Sequence, residues 1–585
     1  MTRQQCQSAA WGKRFLMLCA VILSASVAYA GSNKVASDLQ VEANAAAPSA
    51  TVDIIVQYVS KPGNTQFAKI LQENGIIKNH LDVVNGAAFT VPVSILSTLA
   101  SDPDVAYITP DRTVQATSNG NSTATLDYYD ATTNATTSWQ SGYTGTGIGV
   151  AIIDSGIAST SDLGPRVVYS MNFVGGTSGS ANDQYGHGTH VAGIVGGNGA
   201  GSTGSQYSYT FKGIAPNVSL INLRVLDQNG AGTDSQVIAA INQAISLKSQ
   251  YNIRVINLSL GRPVYESYAL DPLCQAVEKA WQAGIVVVVA AGNQGRNNTA
   301  NTSGYGTITA PGNDPYVITV GAMKTLGTAN RADDQIASYS SKGPTLYDHV
   351  VKPDLVAPGN RIISLYKAGL TLPGLYPGNE IPYSLYQVNG NSTSSANYYM
   401  LSGTSMATPM VSGAAALLLQ KNPSLTPDQV KARLMKTAYK NIVTYSTAVD
   451  PVTGQTYNSQ ADIFTVGAGY LDIQAALSNT DLASSTAGSA SSPTVTKDAS
   501  GNIVLVNGTS VVWGTSVVWG TSVVWGTSVV WGTNVSGQSV LWGSSVCWGT
   551  SALQGYSVVW GTSVVWGQSS TPAGEATAIA INGEN

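Results

Sequence analysis

Charged residues are scarce in this chain, which is rich in glycine instead. Only 10% of its 585 residues are Asp, Glu, Lys or Arg, whereas soluble intracellular proteins carry about 25%. The formal net charge is −4, and no stretch of Lys and Arg forms a basic stripe. Nucleic acid is therefore excluded as an expected partner, and the composition favours an exported protein built from strands and loops.

Cysteine is too rare for a disulfide framework. Four cysteines occur, and two of them, Cys6 and Cys19, lie in a leader that we predict is removed. The others, Cys274 and Cys547, lie in unrelated contexts, so we expect both to be free or to form at most one bridge. Stability must then come from the burial of apolar side chains, with or without bound ions.

Long apolar runs are missing as well. Three basic residues precede a short apolar stretch from Phe15 to about Ser24, and the A-x-A motif Ala28-Tyr29-Ala30 follows that stretch. This pattern predicts a secretory signal peptide over residues 1–30. A membrane anchor is the alternative, but the run is shorter than the roughly 20 residues of a spanning helix. We expect a secreted, extracellular or surface-associated protein with no membrane span.

Histidine is rare, yet two of the four histidines lie three residues apart in DQYGHGTHVAG. As metal ligands, His187 and His190 lack partners, because no HExxH motif occurs and Asp183 supplies only one nearby carboxylate. As a catalytic base, His187 needs a nucleophile to deprotonate and a buried acceptor that holds its tautomer.

Candidates for both partners occur elsewhere in the chain. Ser405, in GTSMATP, lies at a turn that opens a helix, where backbone N–H groups favour a nucleophile. A plain Gly/Ser-rich loop remains the alternative interpretation of that segment. Asp154 ends the apolar run VAIID and is a suitable buried acceptor for the imidazole.

Between about residues 120 and 478, short apolar runs alternate with helical patterns. The runs GIGVAIID, VSLINLRVL, RVINLSL, GIVVVVAAG and YVITVGA predict strands buried on both sides, and therefore a parallel sheet with helices on both faces. Ligands bind at the carboxyl ends of such strands. Asp154, Ser259 and Asn293 occur at or just after strand ends, which makes them candidate site residues.

The two flanking segments differ from this region. Residues 51–112 alternate strands and helices over a short span and predict a small α+β unit. The last hundred residues repeat GTSVVW with tryptophans mostly six apart, which predicts stacked turns or hairpins. A disordered tail is the alternative. The tryptophans form either a buried ladder or an exposed surface for attachment or assembly.

Six sequence blocks resemble the signatures of the subtilisin-like serine proteases, the subtilases. They are VAIIDSGI, GHGTHVAGIV, VINLSLG, AAGNQG, KPDLVAPG and LSGTSMATPMVSGAAALL, and they span about residues 140–440. The Asp, His and Ser blocks follow the order found in subtilisin. The resemblance implies a three-layer α/β fold, a parallel sheet covered by helices on both faces.

The resemblance also assigns roles. Asp154, His187 and Ser405 would form the triad, and Asn293 would donate to the oxyanion together with the Ser405 N–H. The implied substrate-binding residues are Ser259, Leu260, Gly261, Ala290, Ala291 and Gly292. Because Gln294 replaces an acidic residue of some relatives, no strong preference for basic residues next to the cleaved bond is expected. No cofactor is implied for catalysis.

Segment 51–112 resembles the family's inhibitory propeptide, which chaperones folding and occupies the active site. The expected organisation is a signal peptide at 1–30, a propeptide at 31–118, a catalytic domain at 119–478 and a linker with the β-rich repeat tail at 479–585. Self-cleavage is expected within 113–124. Asp162 resembles a position where relatives bind calcium, so a structural calcium ion is a further expectation.

Two hypotheses from different classes follow. The first is a secreted, self-processing serine endopeptidase that acts on proteins or peptides and is inhibited by its own propeptide. The second is a surface-binding or structural protein in which the repeat tail acts and the protease domain is a relic. Degenerate proteases usually lose a triad or oxyanion residue, and none is missing here, which favours the enzyme.

Overall fold

The computed structural model describes residues 34–47, 49–115, 126–176, 179–299, 302–450 and 454–497, together with 503–505, 528–535, 538–543 and 584. The predicted signal peptide, Cys547, most of the tryptophan repeats and residues 116–124 of the expected cleavage window lie outside the described residues. Contacts divide the chain into two compact units, Met1–Asp111 and Arg112–Asn585.

In its described residues, the first unit consists of an antiparallel four-stranded sheet and three α-helices. Its strands, in the order β2-β3-β1-β4, are β1 (Thr51–Tyr58), β2 (Ile76–Leu81), β3 (Gly86–Pro92) and β4 (Val105–Pro110), and its helices are α1 (Ser37–Ala45), α2 (Asn64–Gln72) and α3 (Leu96–Ser101). Strands β1 and β3 carry the buried core, which includes Val56 and Phe89. Strand β2 is absent from the sequence prediction because only its last residue, Leu81, is buried, which leaves little apolar signal.

The second unit is built on an eight-stranded sheet. The strand order is β13-β12-β11-β10-β6-β8-β7, with β14 also paired to β12, and only the β12–β13 pair is antiparallel. The strands are β6 (Gly149–Asp154), β7 (Val167–Asn172), β8 (Ser219–Arg224), β10 (Ile253–Leu258), β11 (Val286–Ala290), β12 (Ile318–Lys324), β13 (Gln335–Ile336) and β14 (Leu355–Pro358). All five apolar runs of the sequence form strands of this sheet.

Helices cover the sheet on both faces. Every residue of β6, β11 and β12 is buried, as a strand between two layers requires. One packed helix pair is α6 (His187–Gly196) with α11 (Thr404–Lys421), and another is α7 (Asp234–Ser246) with α9 (Pro272–Gln282). The remaining helices are α4 (Tyr129–Thr132), α5 (Ala135–Gln140), α8 (Lys248–Tyr251), α10 (Thr371–Leu375), α12 (Pro427–Thr437) and α13 (Ile473–Ser478).

Smaller sheets decorate this framework. They comprise β5 (Thr113–Gln115) with β9 (Ala231–Thr233); β15 (Ile362–Leu365), β16 (Glu380–Pro382) and β17 (Ser394–Leu401); β18 (Tyr445–Val449) with β19 (Thr456–Gln460); β20 (Val495–Lys497) with β21 (Ile503–Leu505); and β22 (Ser528–Val535) with β23 (Gln538–Gly543). The sequence predicts a loop for the Tyr- and Asn-rich segment before Ser405, but this segment contains β16 and β17. No helix in the described ranges is long and apolar enough to cross a membrane.

Residues beyond Ser478 continue to contact the second unit. The N–H of Ser492 donates to the carbonyl of Pro315 at 2.9 Å. Glu584 is buried, and its carboxylate accepts hydrogen bonds from Arg296 and from the N–H of Ser338. The segment assigned to a linker therefore packs, in part, on the folded unit.

Candidate active site

Three neighbouring parallel strands bring predicted site residues to one edge of the main sheet. β6 ends at Asp154, β10 is followed directly by Ser259, and Asn293 comes three residues after the end of β11. Because these strands are adjacent and parallel, their carboxyl ends meet at the same edge. The structure thus brings together positions that are far apart in the sequence.

Asp154 and His187 form a buried pair. His187 begins α6, and Gly186 before it has φ 114°, a conformation that favours glycine. Nδ1 of His187 lies 2.8 Å from Oδ1 of Asp154, and both side chains are fully buried. The N–H of Ser155 donates to the same oxygen at 2.7 Å. The carboxylate therefore favours the tautomer with its proton on Nδ1, which leaves Nε2 basic.

Asp183 organises the loop that carries His187, a role that sequence reasoning missed. Its buried carboxylate accepts five hydrogen bonds, from the side chains of Ser155 and Thr189 and the backbone N–H groups of Tyr185, Gly186 and Thr189. Burial raises the pKa of Asp183, and these donors oppose the rise. The sequence signal for this role is an Asp four residues before the histidine in a Gly-rich loop, a position that the sequence alone suggests only as a metal ligand.

Ser405 is presented by a tight turn at the start of α11. Gly403 has φ 147°, which favours glycine, and a Cβ there would come within 3.0 Å of the Asn293 amide nitrogen. Pro409 has no N–H, so it cannot bond the Ser405 carbonyl four residues earlier. That carbonyl instead accepts a hydrogen bond from the Ser259 hydroxyl at 2.9 Å.

The hydroxyl of Ser405 is itself held by Ser259. It donates to the Ser259 carbonyl oxygen at 3.0 Å. Nε2 of His187 is buried and hydrogen-bonds no residue in the described ranges. Since a hydroxyl has one proton to donate, Ser405 must release Ser259 before it can donate to His187.

Asn293 is oriented by Thr404, the neighbour of Ser405. Its side-chain oxygen accepts hydrogen bonds from the N–H and the hydroxyl of Thr404, both at 2.9 Å. The oxygen is thereby engaged as an acceptor, so the amide NH₂ is the donor end of this side chain. Next to it, the N–H of Ser405 belongs to the first turn of α11, where amides lack helical acceptors.

Strand β5 shows how an extended peptide lies along this edge. It pairs antiparallel with β9 through Thr113–Thr233, Val114–Gly232 and Gln115–Ala231. On its other side Gln115 exchanges two backbone hydrogen bonds with Gly261, at 3.2 and 3.4 Å. The predicted substrate-binding residue Gly261 therefore already acts as one half of a strand pair.

The other predicted substrate-binding residues lie next to this strand pair. Leu260 is buried between Ser259 and Gly261. Ala290 ends β11, and the Ala291 carbonyl accepts a hydrogen bond from the N–H of Thr309 at 3.0 Å. Gly292 has φ 102°, and its N–H donates to the Thr404 hydroxyl at 3.2 Å. The hydrogen bond from Gly292 to the Thr404 hydroxyl thus ties this segment to the turn that presents Ser405.

His190 has different surroundings from His187. Its Nε2 donates to the carbonyls of Ile362 and Tyr399, at 3.1 and 3.0 Å. Burial, followed by the proximity of His187, lowers the pKa of His190 to about 3. It is therefore a neutral histidine that ties α6 to β15 and β17, consistent with a packing role.

Asp162 does not fit a calcium ion. Its Oδ1 accepts hydrogen bonds from the Ser161 hydroxyl at 2.9 Å and the Gly201 N–H at 2.7 Å, and the Tyr398 hydroxyl lies 2.8 Å from Oδ2. Donors surround the carboxylate where calcium would need oxygen ligands. Within the described ranges, no group of three or more His, Cys, Asp and Glu side chains is arranged to hold a metal ion.

Comparisons with known proteins agree with this geometry. The family model described as Subtilase family matches residues 145–469. Serine protease AprX of Bacillus subtilis (strain 168) is 41% identical over 300 residues, which cover 50% of this chain and 61% of AprX. The match thus spans less than two thirds of the length of AprX. Subtilisin E of the same strain is 35% identical over 370 residues, or 63% of this chain and 79% of subtilisin E.

A solved structure shares the fold. Fervidolysin from Fervidobacterium pennivorans, described as a keratinolytic enzyme related to subtilisin, superposes with a TM-score of 0.54 at 21% identity. The superposition covers 78% of this chain and 65% of fervidolysin. The predicted α/β fold with a parallel sheet is confirmed at this level.

Proposed function

Because the chain belongs to the subtilase family, we propose that it is a secreted serine endopeptidase that hydrolyses peptide bonds of proteins through an acyl-enzyme. One observation carries the proposal: the buried hydrogen bond from His187 Nδ1 to Asp154, which leaves Nε2 as the basic nitrogen. Ser405 supplies the nucleophile, at the start of a helix and beside Asn293.

The first half of the reaction transfers the acyl group to the enzyme. Ser405 Oγ attacks the carbonyl carbon of the peptide bond while His187 Nε2 takes the hydroxyl proton. The imidazolium then gives this proton to the amine nitrogen as the C–N bond breaks. Asp154 remains ionised, stabilises the imidazolium and keeps the ring in place.

The second half uses water as the nucleophile. His187 takes a proton from water as its oxygen attacks the ester carbon, and returns that proton to Ser405 Oγ as the C–O bond breaks. In both halves negative charge develops on the carbonyl oxygen. The Asn293 amide and the Ser405 N–H are the donors that would stabilise it.

Substrate binding would also switch the hydroxyl of Ser405 into its reactive orientation. Among the described residues, the Ser259 carbonyl accepts a hydrogen bond from the Ser405 hydroxyl. A peptide that pairs along Ser259–Gly261 would offer a backbone N–H to that carbonyl. The hydroxyl would then be released to donate to His187 Nε2, so that strand pairing activates the nucleophile.

The same strand register indicates where the chain processes itself. Gln115 pairs with Gly261 in antiparallel register. Ser259, whose carbonyl accepts the Ser405 hydroxyl, lies two residues before Gly261. A peptide residue opposite Ser259 therefore lies two residues after Gln115. Two residues after Gln115 is Thr117. We therefore infer cleavage between Thr117 and Ser118, inside the expected window 113–124, with the segment before it acting as the inhibitory propeptide.

One set of proteins tests the enzyme assignment. We expect the wild-type chain to hydrolyse casein, to be inactivated by phenylmethylsulfonyl fluoride and to yield Ser118 as a new N-terminus. The S405A chain should be inactive and unprocessed, whereas S424A, at an exposed serine, should behave like wild type. Activity that survives both the inhibitor and S405A would overturn the proposal.

Export follows from the predicted signal peptide and from the low charge of the chain. Secretion into the medium or onto the cell surface is therefore proposed as the location. Fusion of residues 1–30 to a reporter in a bacterial host, followed by fractionation, tests it. Retention of the reporter in the cytoplasm would contradict the proposed export.

A further inference from the structure

Arg112, the residue before β5, occupies a buried pocket of the second unit. Its Nη1 lies 2.6 Å from Oε1 of Glu266, and its guanidinium lies 5.2 Å from the ring centre of Tyr265. The side chains of Arg112 and Glu266 are 5% and 8% exposed. A cation is thus held by a carboxylate and by an aromatic face at once.

The walls of the pocket are acidic. Two further buried carboxylates, Asp234 and Asp271, both bind Arg262, at 2.7 and 2.8 Å. With Glu266, three ionised carboxylates would face the two guanidinium groups of Arg262 and Arg112. Burial raises the pKa of Asp234 to about 6, whereas Arg262, and to a smaller extent Arg112, act in the opposite direction.

The pocket lies on the path of the bound strand. The carbonyl of Arg112 accepts a hydrogen bond from the Asp234 N–H at 2.8 Å, directly before the pairing of Thr113 with Thr233. Arg112 is therefore positioned by backbone pairing three residues before Gln115, the partner of Gly261. Any peptide that adopts the β5 register places a side chain at the same point.

If the chain is processed as proposed, Arg112 leaves with the propeptide. Glu266, Asp234 and Asp271 stay behind and keep one buried guanidinium, that of Arg262. Replacing a lost cation in a buried acidic pocket is favourable, because excess negative charge in a low-dielectric environment is costly. A substrate with a basic side chain at this point would restore the charge balance.

We propose that Glu266 and Tyr265 form a subsite for a lysine or arginine of the substrate, three residues before the residue that pairs with Gly261. On the register inferred above, this is the sixth residue before the cleaved bond. The inference rests on the proposed function. It adds substrate selection far from the cleaved bond, whereas Gln294 gives no reason to expect a basic preference next to that bond.

The test uses the mature wild-type enzyme and three internally quenched peptides based on residues 110–121. One keeps arginine at the position of Arg112, one carries norleucine and one carries glutamate. We expect kcat/KM for the arginine peptide to exceed that of the norleucine peptide about tenfold, and the glutamate peptide to be poorest. The difference should lie mainly in KM, because the contact is remote from the reacting bond.

The E266Q enzyme should lose this order and cleave the arginine and norleucine peptides at rates within about twofold. E380Q, the same change at a glutamate in β16 that binds the Tyr366 hydroxyl, should keep the wild-type order. Because the wild-type series needs no variant, the test survives even if E266Q fails to fold.

The outcomes separate the two proposals. Cleavage of no peptide would count against the enzyme itself. Cleavage of the arginine and norleucine peptides at equal rates by the wild type would overturn the subsite alone, as would an unchanged preference in folded E266Q. A preference that weakens with added salt would support it, since the contact is between charges.

Discussion

Two buried clusters of ionisable side chains in the second unit contain ion pairs of similar length. They differ in whether the polar atoms outside the ion pair have hydrogen-bond partners. His187 Nδ1 lies 2.8 Å from Asp154, and Lys352 Nζ lies 2.7 Å from Asp354. The other oxygen of Asp154 and Nε2 of His187 hydrogen-bond nothing in the described ranges. In the second cluster, the other carboxylate oxygen of Asp354 and a second N–H of Lys352 have hydrogen-bond partners.

The lysine cluster is complete by itself. The carboxylate of Asp354 accepts hydrogen bonds from Lys352, Ser492 and the N–H of Thr319, and lies 3.1 Å from the ammonium of Lys431. Lys431 also donates to the carbonyls of Pro315 and Val317. Burial and charge therefore do not identify a catalytic group. The proposed general base differs from this cluster in that His187 Nε2 has no hydrogen-bond partner in the described ranges.

The largest expected effect on activity comes from a substitution in the cluster of Asp154 and His187. His187→Ala should lower kcat by about a millionfold, because the general base is removed while the nucleophile remains. The free energy of unfolding should fall by about 1–3 kcal/mol, because the buried Asp154 carboxylate loses the Nδ1–H donor of His187. Activity is measured on a peptide substrate and stability by calorimetry in the S405A background. A large loss of stability with retained activity would reverse the comparison.

The second cluster should respond in the opposite way. Asp354→Asn leaves Lys352 and Lys431 buried without their counter-charge, so we expect the free energy of unfolding to fall by about 3–5 kcal/mol. The folded fraction should keep its kcat. The matched control is Asp481→Asn, at the exposed ion pair with Lys436, which should cost less than about 1 kcal/mol. Equal losses in urea unfolding would contradict this prediction.

A smaller effect is expected from the group that faces the developing charge. Asn293→Ala should lower kcat by about 10²–10³, the range for loss of one oxyanion donor. KM should change little, because the donor acts on the transition state. Thr404→Val is a useful companion, since it removes the hydroxyl that donates to Asn293 and accepts from Gly292 but leaves the Thr404 N–H on Asn293, and it should have a weaker effect on kcat. A change confined to KM would contradict the assigned role.

Some parts of this site could be read from the sequence. The strands that lead to Asp154, Ser259 and Asn293 are continuous apolar runs, and the catalytic candidates lie in short blocks with a recognisable order. The exchange of hydrogen bonds between Ser259 and Ser405 could not be read, because it joins residues 146 positions apart. Nor could the pairing of Arg112 with Glu266, at a separation of 154.

Other misses have local causes. Strand β2 is mostly exposed and lacks an apolar pattern, so it gives no periodic signal. The segment that contains β16 and β17 is rich in Tyr and Asn, which suggested a loop. Its tyrosines are buried against one another, as in the edge-on contact of Tyr386 and Tyr398 at 5.4 Å. Aromatic packing of this kind depends on the tertiary fold rather than on local periodicity.

The smallest predicted effect tests whether a buried carboxylate outside the candidate active site is by itself a sign of chemistry. Asp334 is 1% exposed, and the buried hydroxyl of Tyr470 interacts with its carboxylate. Burial raises the pKa of Asp334 to about 7, although the Tyr470 hydroxyl acts in the opposite direction. Asp334 does not belong to the candidate active site, so we expect its substitution to change stability and not turnover.

The sign of the pH dependence follows from that pKa. An aspartate in the unfolded chain has a pKa of about 3.9, so between about pH 4 and 7 the folded chain retains a proton that the unfolded chain has lost. The contribution of Asp334 to the free energy of unfolding therefore falls as pH rises through this window and is fully unfavourable above it. Asp334→Asn should raise stability by about 1–3 kcal/mol at pH 8 and by nearly nothing at pH 4. Urea unfolding of the S405A chain with and without the substitution measures both values, and an equal gain at the two pH values would show that ionisation is not the cause.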